Sequence, residues 1–176
     1  MVPRVPLLLL VCFHLACTGA SVRTELTGEV SLSAGRAGQA LAMFPAIAGL
    51  SNVDFDDNAD LKVAGLSRRS VVAASVERVR LRIISPIGGG FEFLDSLSMN
   101  VRSGDDTAKV AERLGIADVM GAAPGPELQL PVLANVNFAQ QVNVAPTHFT
   151  LEGRGRAPTR DYRFEVVVNA LFDVRR

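Results

Sequence analysis

The densest run of metal-ligand types in the chain is Asp54-Phe55-Asp56-Asp57-Asn58-Ala59-Asp60. Side-chain oxygens at Asp54, Asp56, Asn58 and Asp60 recur every second residue, the spacing with which a loop can wrap a calcium ion. The EF-hand version of such a loop needs Gly at its sixth place and Glu at its twelfth. Those places hold Ala59 and Gly65, so only a calcium site of another kind is open to this run. The preferred reading is a solvated turn whose Asp and Asn side chains bond their own backbone. A second constellation is cationic: Arg78, Arg80 and Arg82 alternate with Val79, Leu81 and Ile83. On a strand this puts three guanidinium groups on one face, which could take an anionic polymer or a lipid headgroup. The competing role is the wet face of an amphipathic strand, with Glu or Asp partners on its neighbours.

Other chemistry is thinly supplied. His148 is the only His beyond position 14, and no Gly-x-Ser-x-Gly elbow accompanies it, so a Ser-His-Asp hydrolase lacks its parts. It reads as a strand residue on a solvent face. Gly153-Arg154-Gly155-Arg156 is one short Gly/Arg copy without a following helix, so it reads as a turn rather than a phosphate cradle. Two Cys cannot build a disulfide framework or a Cys-rich zinc site. No metal and no cofactor is expected. Formal charge is zero, with 18 basic and 18 acidic residues, and no aromatic residue interleaves with the arginines, which argues against nucleic acid as a partner. A transmembrane β-barrel would carry aromatic girdles; this chain has no Trp and one Tyr.

Both cysteines, Cys12 and Cys17, belong to the N-terminal leader. Arg4 precedes an almost wholly apolar run from Val5 to Ala16. That is too short for a membrane span, which takes roughly 20 apolar residues, and has the plan of a secretory signal peptide. Leu15-Ala16-Cys17-Thr18-Gly19 resembles the lipobox of bacterial lipoproteins, in which cleavage leaves a diacylglyceryl cysteine as the new N-terminus. That resemblance implies a signal peptide over 1–16, lipid on Cys17 and a domain over 17–176 held at a membrane. Cleavage after Ala20, at the small-x-small site Thr18-Gly19-Ala20, is the alternative, and it gives a soluble periplasmic or extracellular protein. Loss of residues 1–16 leaves 17 basic against 18 acidic residues, so the balance of charge survives processing.

The elements that must position these groups read as mostly β. Val22, Leu26, Val30 and Leu32 alternate with Arg23, Glu25, Thr27, Glu29 and Ser31, which predicts a half-buried strand over 22–32. Residues 34–50 predict a loop with one short helix, because Pro45 interrupts anything longer, and 52–55 a brief strand. Strands are predicted over 71–85 and 91–101, joined as a hairpin through Pro86 and Gly88-Gly89-Gly90. A helix is predicted over 105–116, capped by Asp105 or Asp106 and stopped at Gly115. An edge strand follows over 127–132, since Pro131 cannot donate to a central ladder, and another strand over 136–144. The C-terminal arms 148–153 and 162–174 predict a closing hairpin across the loop 154–161. About seven or eight short strands with turns between them give an antiparallel β-sandwich of the immunoglobulin or fibronectin type III kind, with one or two short helices.

From Val71 to Val174 the layout resembles the late-embryogenesis-abundant type 2, or water-stress, domain. The matching pieces are Ile83-Ile84-Ser85-Pro86, Phe93-Leu94-Asp95-Ser96-Leu97, Val110-Ala111, Leu128-Gln129-Leu130-Pro131 and Leu151-Glu152-Gly153. The resemblance implies a single β-sandwich and a non-enzymatic role near a membrane. The sequence therefore points first to an exported cell-envelope lipoprotein with a structural or protein-binding role and an unidentified protein partner. The alternative is a module for an apolar or lipid-like ligand, held in the sandwich or beneath the Ala/Gly-rich segment 34–50. A third reading is a hydrolase with an unrecognised carboxylate site.

Overall fold

The computed structural model describes residues 19–41, 43–119 and 125–175; the leader and Cys17 lie outside the described residues. The elements are β1 (Ala20–Leu32), α1 (Ala59–Val63), β2 (Val71–Ser85), β3 (Leu94–Ser103), β4 (Asp106–Leu114), α2 (Ile116–Val119), β5 (Glu127–Leu130), α3 (Ala139–Asn143), β6 (His148–Gly155) and β7 (Tyr162–Val174), with 3-10 turns at Phe55–Asp57 and Arg68–Ser70. The fold is an antiparallel β-sandwich with short helices. One sheet runs β1-β7-β2-β5 and the other β4-β3-β6. The last strand thus lies between the first and second, whereas the last immunoglobulin strand belongs to the opposite sheet.

Alternation decides the faces. β7 turns Phe164, Val166, Val168, Ala170, Phe172 and Val174 into the core, and β1 contributes Val30 and Leu32. The facing sheet supplies Leu97, Met99, Val101, Phe149 and Leu151. Phe55, Phe91, Phe138, Phe149, Phe164 and Phe172 are all fully buried, so the space between the sheets is filled by rings. Phe55 and Phe138 both meet the Phe172 ring edge-on, at centroid distances of 5.2 and 6.3 Å, a favoured aromatic geometry.

Both open sides of the sandwich are laced. An extended strap, residues 34–53, runs from β1 to β6. Glu29 and Ala48 exchange two backbone hydrogen bonds of 3.0 and 2.8 Å, Leu41 N–H donates to Gly155 at 3.0 Å, and Phe149 N–H donates to Leu50 at 2.9 Å. Ile47 and Leu50 beneath the strap are fully buried. On the other side, Glu112 N–H donates to Pro131 and Leu133 N–H to Val110, which joins the β5 end to β4. Glycine makes the first lacing possible. A Cβ on Gly28 would stand 2.5 Å from the Ala48 carbonyl oxygen.

Several sequence expectations are corrected. The helix expected over 105–116 is β4. Gly104 at φ 57° and Asp105 form a two-residue turn that brings Asp106 opposite Ser103, glycine standing where a type II′ turn takes it. The spacing of Val110 and Leu114 suggests a helical stripe, yet Val110 is fully buried and Leu114 is 68% exposed. A bulge between Met99 and Asn100 explains this. Val110 is the extra residue, so Val110 and Ala111 both turn inward. The strand expected over 136–144 is α3, with Phe138 and Val142 four apart and both fully buried. Asn137 Oδ1 accepts from Ala139 N–H at 3.0 Å and from Ala74 N–H at 2.9 Å, so the chain turns there and docks on β2. The two expected hairpins do not form. β2 and β3 lie in different sheets, as do β6 and β7, so their connections cross the sandwich. Segment 34–50 holds no helix among its described residues, and of the expected strand over 52–55 only the single bridge Val53–Thr147 remains.

Candidate functional site

Arg78, Arg80 and Arg82 do share one sheet face. Their side chains point out from β2, and Arg80 and Arg82 meet carboxylates on adjacent strands. Arg82 Nε is 3.0 Å from Glu165 of β7, and an Arg80 terminal nitrogen is 3.7 Å from Glu127 of β5. Arg78 stands at a bulge between Val76 and Arg78, which turns Glu77 and Arg78 to solvent together. They border an open cleft of about 530 Å³ with Arg23, Glu25, Asp60 and Asn169.

The acidic run caps and anchors its own loop. Asp54 Oδ1 accepts from Asp56 N–H at 3.0 Å, and Asn58 Oδ1 accepts from Leu61 N–H at 3.0 Å at the start of α1. Asn58 Nδ2 donates to Thr24 Oγ1 at 2.8 Å. Asp54 and Asp56 both face Arg68, at 3.4 and 3.2 Å. Lys62 donates to Asp57 at 2.8 Å, and this bond, with the ammonium charge, holds the Asp57 carboxyl below its ordinary range. Among the described residues no three His, Cys, Asp or Glu side chains converge as a metal site. His148 is half-buried on β6, its Nδ1 bonded to the Ser51 carbonyl of the strap.

A different constellation emerges at the end of the sandwich where β1 and β2 finish and β7 begins. The strap there runs beside the 156–162 crossover: Gly35 N–H donates to the Pro158 carbonyl and Ala157 N–H to Gln39. Between them lies a cleft of about 300 Å³ lined by Ala37, Gly38, Glu92, Phe93, Arg156, Ala157, Pro158, Thr159 and Tyr162. A second cleft, about 330 Å³, lies beside the strap around Leu32, Leu41, Met43 and Pro45, and shares Ala157 and Pro158 with the first. The back wall is aromatic. Phe93 and Tyr162 are 5.0 Å apart, and Tyr162 stacks on Phe164 at 5.5 Å.

Arginines stand beside the first cleft, whose own lining sets Arg156 against Glu92. The Arg160 guanidinium sits 5.8 Å from the Tyr162 ring centre, close enough for a cation–π contact. Arg156 lines the cleft, Arg36 directly precedes its Ala37-Gly38 wall, and Glu92 is its one lining carboxylate. Among the described residues Arg36, Arg156 and Arg160 form no ion pair within 4.0 Å, a state they share with Arg69, Arg78, Arg102, Arg113, Arg154 and Arg175, while Arg23, Arg68, Arg80, Arg82 and Arg163 each form one. Position in the fold, rather than number, sets these three apart.

Sequence reasoning misses this site because Gly153–Arg156 reads as a turn. Residues 153–155 end strand β6, and Arg156 pairs with Ala40 of the strap. Gly155 is needed there, since its φ is 151° and a Cβ would stand 2.1 Å from the Phe93 carbonyl oxygen. The local signal that could have found the site is Arg160 two places before the chain's only Tyr.

No family model and no curated protein matches the chain. Among solved structures it is similar to the BFDV capsid protein. The 60-mer crystal structure shares 10% identity at a TM-score of 0.38, over 89% of this chain and 95% of that one. The decameric crystal structure shares 10% identity at 0.36, over 88% and 98%. At that level of overlap the architecture rests on the chain's own strand pairing.

Proposed function

We propose that this chain is a non-enzymatic binding domain of the cell envelope, whose working part is the strap-covered end of the sandwich and whose ligand is an anion bearing an apolar chain. The observation that carries this is the cleft of about 300 Å³ with Phe93 and Tyr162 at its back, Arg156 in its lining and Arg160 over the Tyr162 ring. Ligand sites are largely apolar hollows with a few convergent polar groups that fix orientation. An arginine fork that has no carboxylate partner suits a carboxylate or phosphate headgroup, which it can grip through two parallel hydrogen bonds. An acyl or other apolar tail would run beside the strap toward Leu41 and Met43. This favours the clefts beside segment 34–50 over the sandwich interior, which the phenylalanines occupy.

In this reading the lipobox-like segment ends immediately before β1, so a diacylglyceryl group on Cys17 would hold the domain at a membrane by the strand end opposite the cleft. Intact mass of the exported protein tests the anchor: lipid on Cys17 is expected, and a free Ser21 start refutes it. The ligand is tested separately. With no Trp and a single Tyr, emission from Tyr162 reports the cleft directly. Titration with decanoate is expected to change it saturably, decanol and acetate are not, and Arg156→Gln with Arg160→Gln should abolish the response. Equal responses to decanoate and decanol, or none to decanoate, refute the assignment.

A further inference from the structure

Strand β1 is the outermost strand of its sheet, and among the described residues half of its free edge has no backbone hydrogen-bond partner. Glu29 exchanges both of its backbone hydrogen bonds with Ala48 of the strap, so its amide and carbonyl face away from β7. β1 pairs with β7 without a register shift from Ala20 to Leu32. Alternation therefore turns the amides and carbonyls of Thr27, Glu25, Arg23 and Ser21 to the same free side. Among the described residues, no backbone group on that side hydrogen-bonds any of these four, and the strap reaches the edge at Thr27, where a Cβ on Gly49 would stand 3.0 Å from the Thr27 carbonyl oxygen. The open cleft of about 530 Å³ reaches this edge at Arg23, Thr24 and Glu25.

Natural sheets guard such edges with proline, a bulge or charges that repel another strand. Over Ser21–Thr27 there is no proline and no bulge, and the charges alternate in sign. Read antiparallel against itself about Thr24, the segment is self-complementary. Arg23 falls opposite Glu25 of the other copy, and Val22 opposite Leu26. The backbone agrees, because the pair 23 with 25 joins residues whose amides and carbonyls all face the free edge. The side chains agree as well. Arg23 spends its Nε on Glu77, at 3.1 and 3.2 Å, which leaves its terminal nitrogens. Glu25 accepts from Asn169 through Oε2 alone, at 3.0 Å, which leaves Oε1. Val22 and Leu26 are only partly buried in one copy, and a second would cover them further.

We propose that the occupant of this edge is a second copy of the chain, paired through Val22–Leu26 about a two-fold axis at Thr24, so that the two four-stranded sheets become one. Opposite charges directly across an antiparallel pair are favourable and like charges unfavourable, and a two-fold interface applies each contact twice. A five-residue edge buries less than the roughly 1,200 Å² of a stable complex, so the dimer is expected to depend on concentration.

The test is sedimentation velocity of the full exported protein across micromolar to submillimolar concentration, with circular dichroism as the check on folding. Wild type is expected to shift from monomer to dimer. Arg23→Glu alone sets Glu opposite Glu, and Glu25→Arg alone sets Arg opposite Arg. Each is expected to weaken the dimer about tenfold or more while the monomer stays folded, both side chains being exposed. Mixing the two single variants restores both opposite-charge pairs and should restore the dimer, as should the double exchange in one chain. A wild type that stays monomeric throughout overturns the proposal, and so does a dimer that survives both single reversals or fails to return on mixing.

Discussion

Gly28→Ala tests whether the strap is seated on β1 as described. The added Cβ would stand 2.5 Å from the Ala48 carbonyl oxygen, 2.8 Å from Ile47 Cγ2 and 2.9 Å from Leu50 Cγ, all closer than carbon tolerates. The backbone oxygen cannot swing aside, because it accepts from Glu29 N–H at 3.0 Å. Two responses are open. If the strap holds its place, the overpacking costs about 1–3 kcal/mol. If it lifts, the two Glu29–Ala48 hydrogen bonds are lost at about 1 kcal/mol each, and the fully buried Ile47 and Leu50 lose part of their cover. The two routes together span about 1–4 kcal/mol, which for a domain of this size lowers Tm by roughly 2–16 °C. Urea unfolding followed by circular dichroism measures it, and faster amide exchange at Glu29 and Ala48 separates lifting from compression. Gly125→Ala is the control, since nothing among the described residues lies within 4 Å of the place its methyl group would take. A Gly28→Ala protein within about 0.5 kcal/mol of wild type, the range of neutral surface changes, would refute the close approach of strap and strand.

Three further outcomes are expected. Asn58→Ala removes both the α1 cap at Leu61 and the bond to buried Thr24 and should cost about 1–3 kcal/mol in urea unfolding; Asn58→Asp keeps the cap acceptor and should lie between. Gln141 is buried and its Oε1 has no partner among the described residues, so Gln141→Leu should leave stability unchanged or raise it by about 1 kcal/mol, an outcome that thermal unfolding reads. The Asp57 carboxyl is held low by the hydrogen bond from Lys62 and then by its charge. A depressed folded value adds stability above the unfolded carboxylate range and loses it as pH falls through the folded value. Lys62→Gln should therefore move the Asp57 titration back up to the ordinary range, as NMR would follow, while a titration unmoved by the change would deny the contact.

Parity decides what is legible in the sequence. Between Ala20 and Leu32 the period of two runs without interruption, and the sequence-level faces are those of the structure. The arginine alternation on β2 is also real, because it begins just after the bulge at Glu77. Legibility ends where one residue is inserted. The bulge at Val110 turns two successive residues inward and places Lys109 and Glu112 on one outer face, 2.7 Å apart. A three-residue separation between partners is a helical spacing, so the segment reads as a helix. Sheet membership is hidden for another reason. Turn residues say that the chain reverses, but whether the returning strand pairs or crosses the sandwich depends on distant partners: Tyr162–Val174 is taken by β1 and β2 together. The candidate cleft follows from that choice. Ala37-Gly38 and Arg156 are far apart in the chain and share a site only because β6 of one sheet ends where the strap arrives from the other. A pattern search confined to neighbours could find the Arg160–Tyr162 pair but not the cleft, so a ligand response that needs Arg156 as well as Arg160 would show that the crossing, and not the local motif, makes the site.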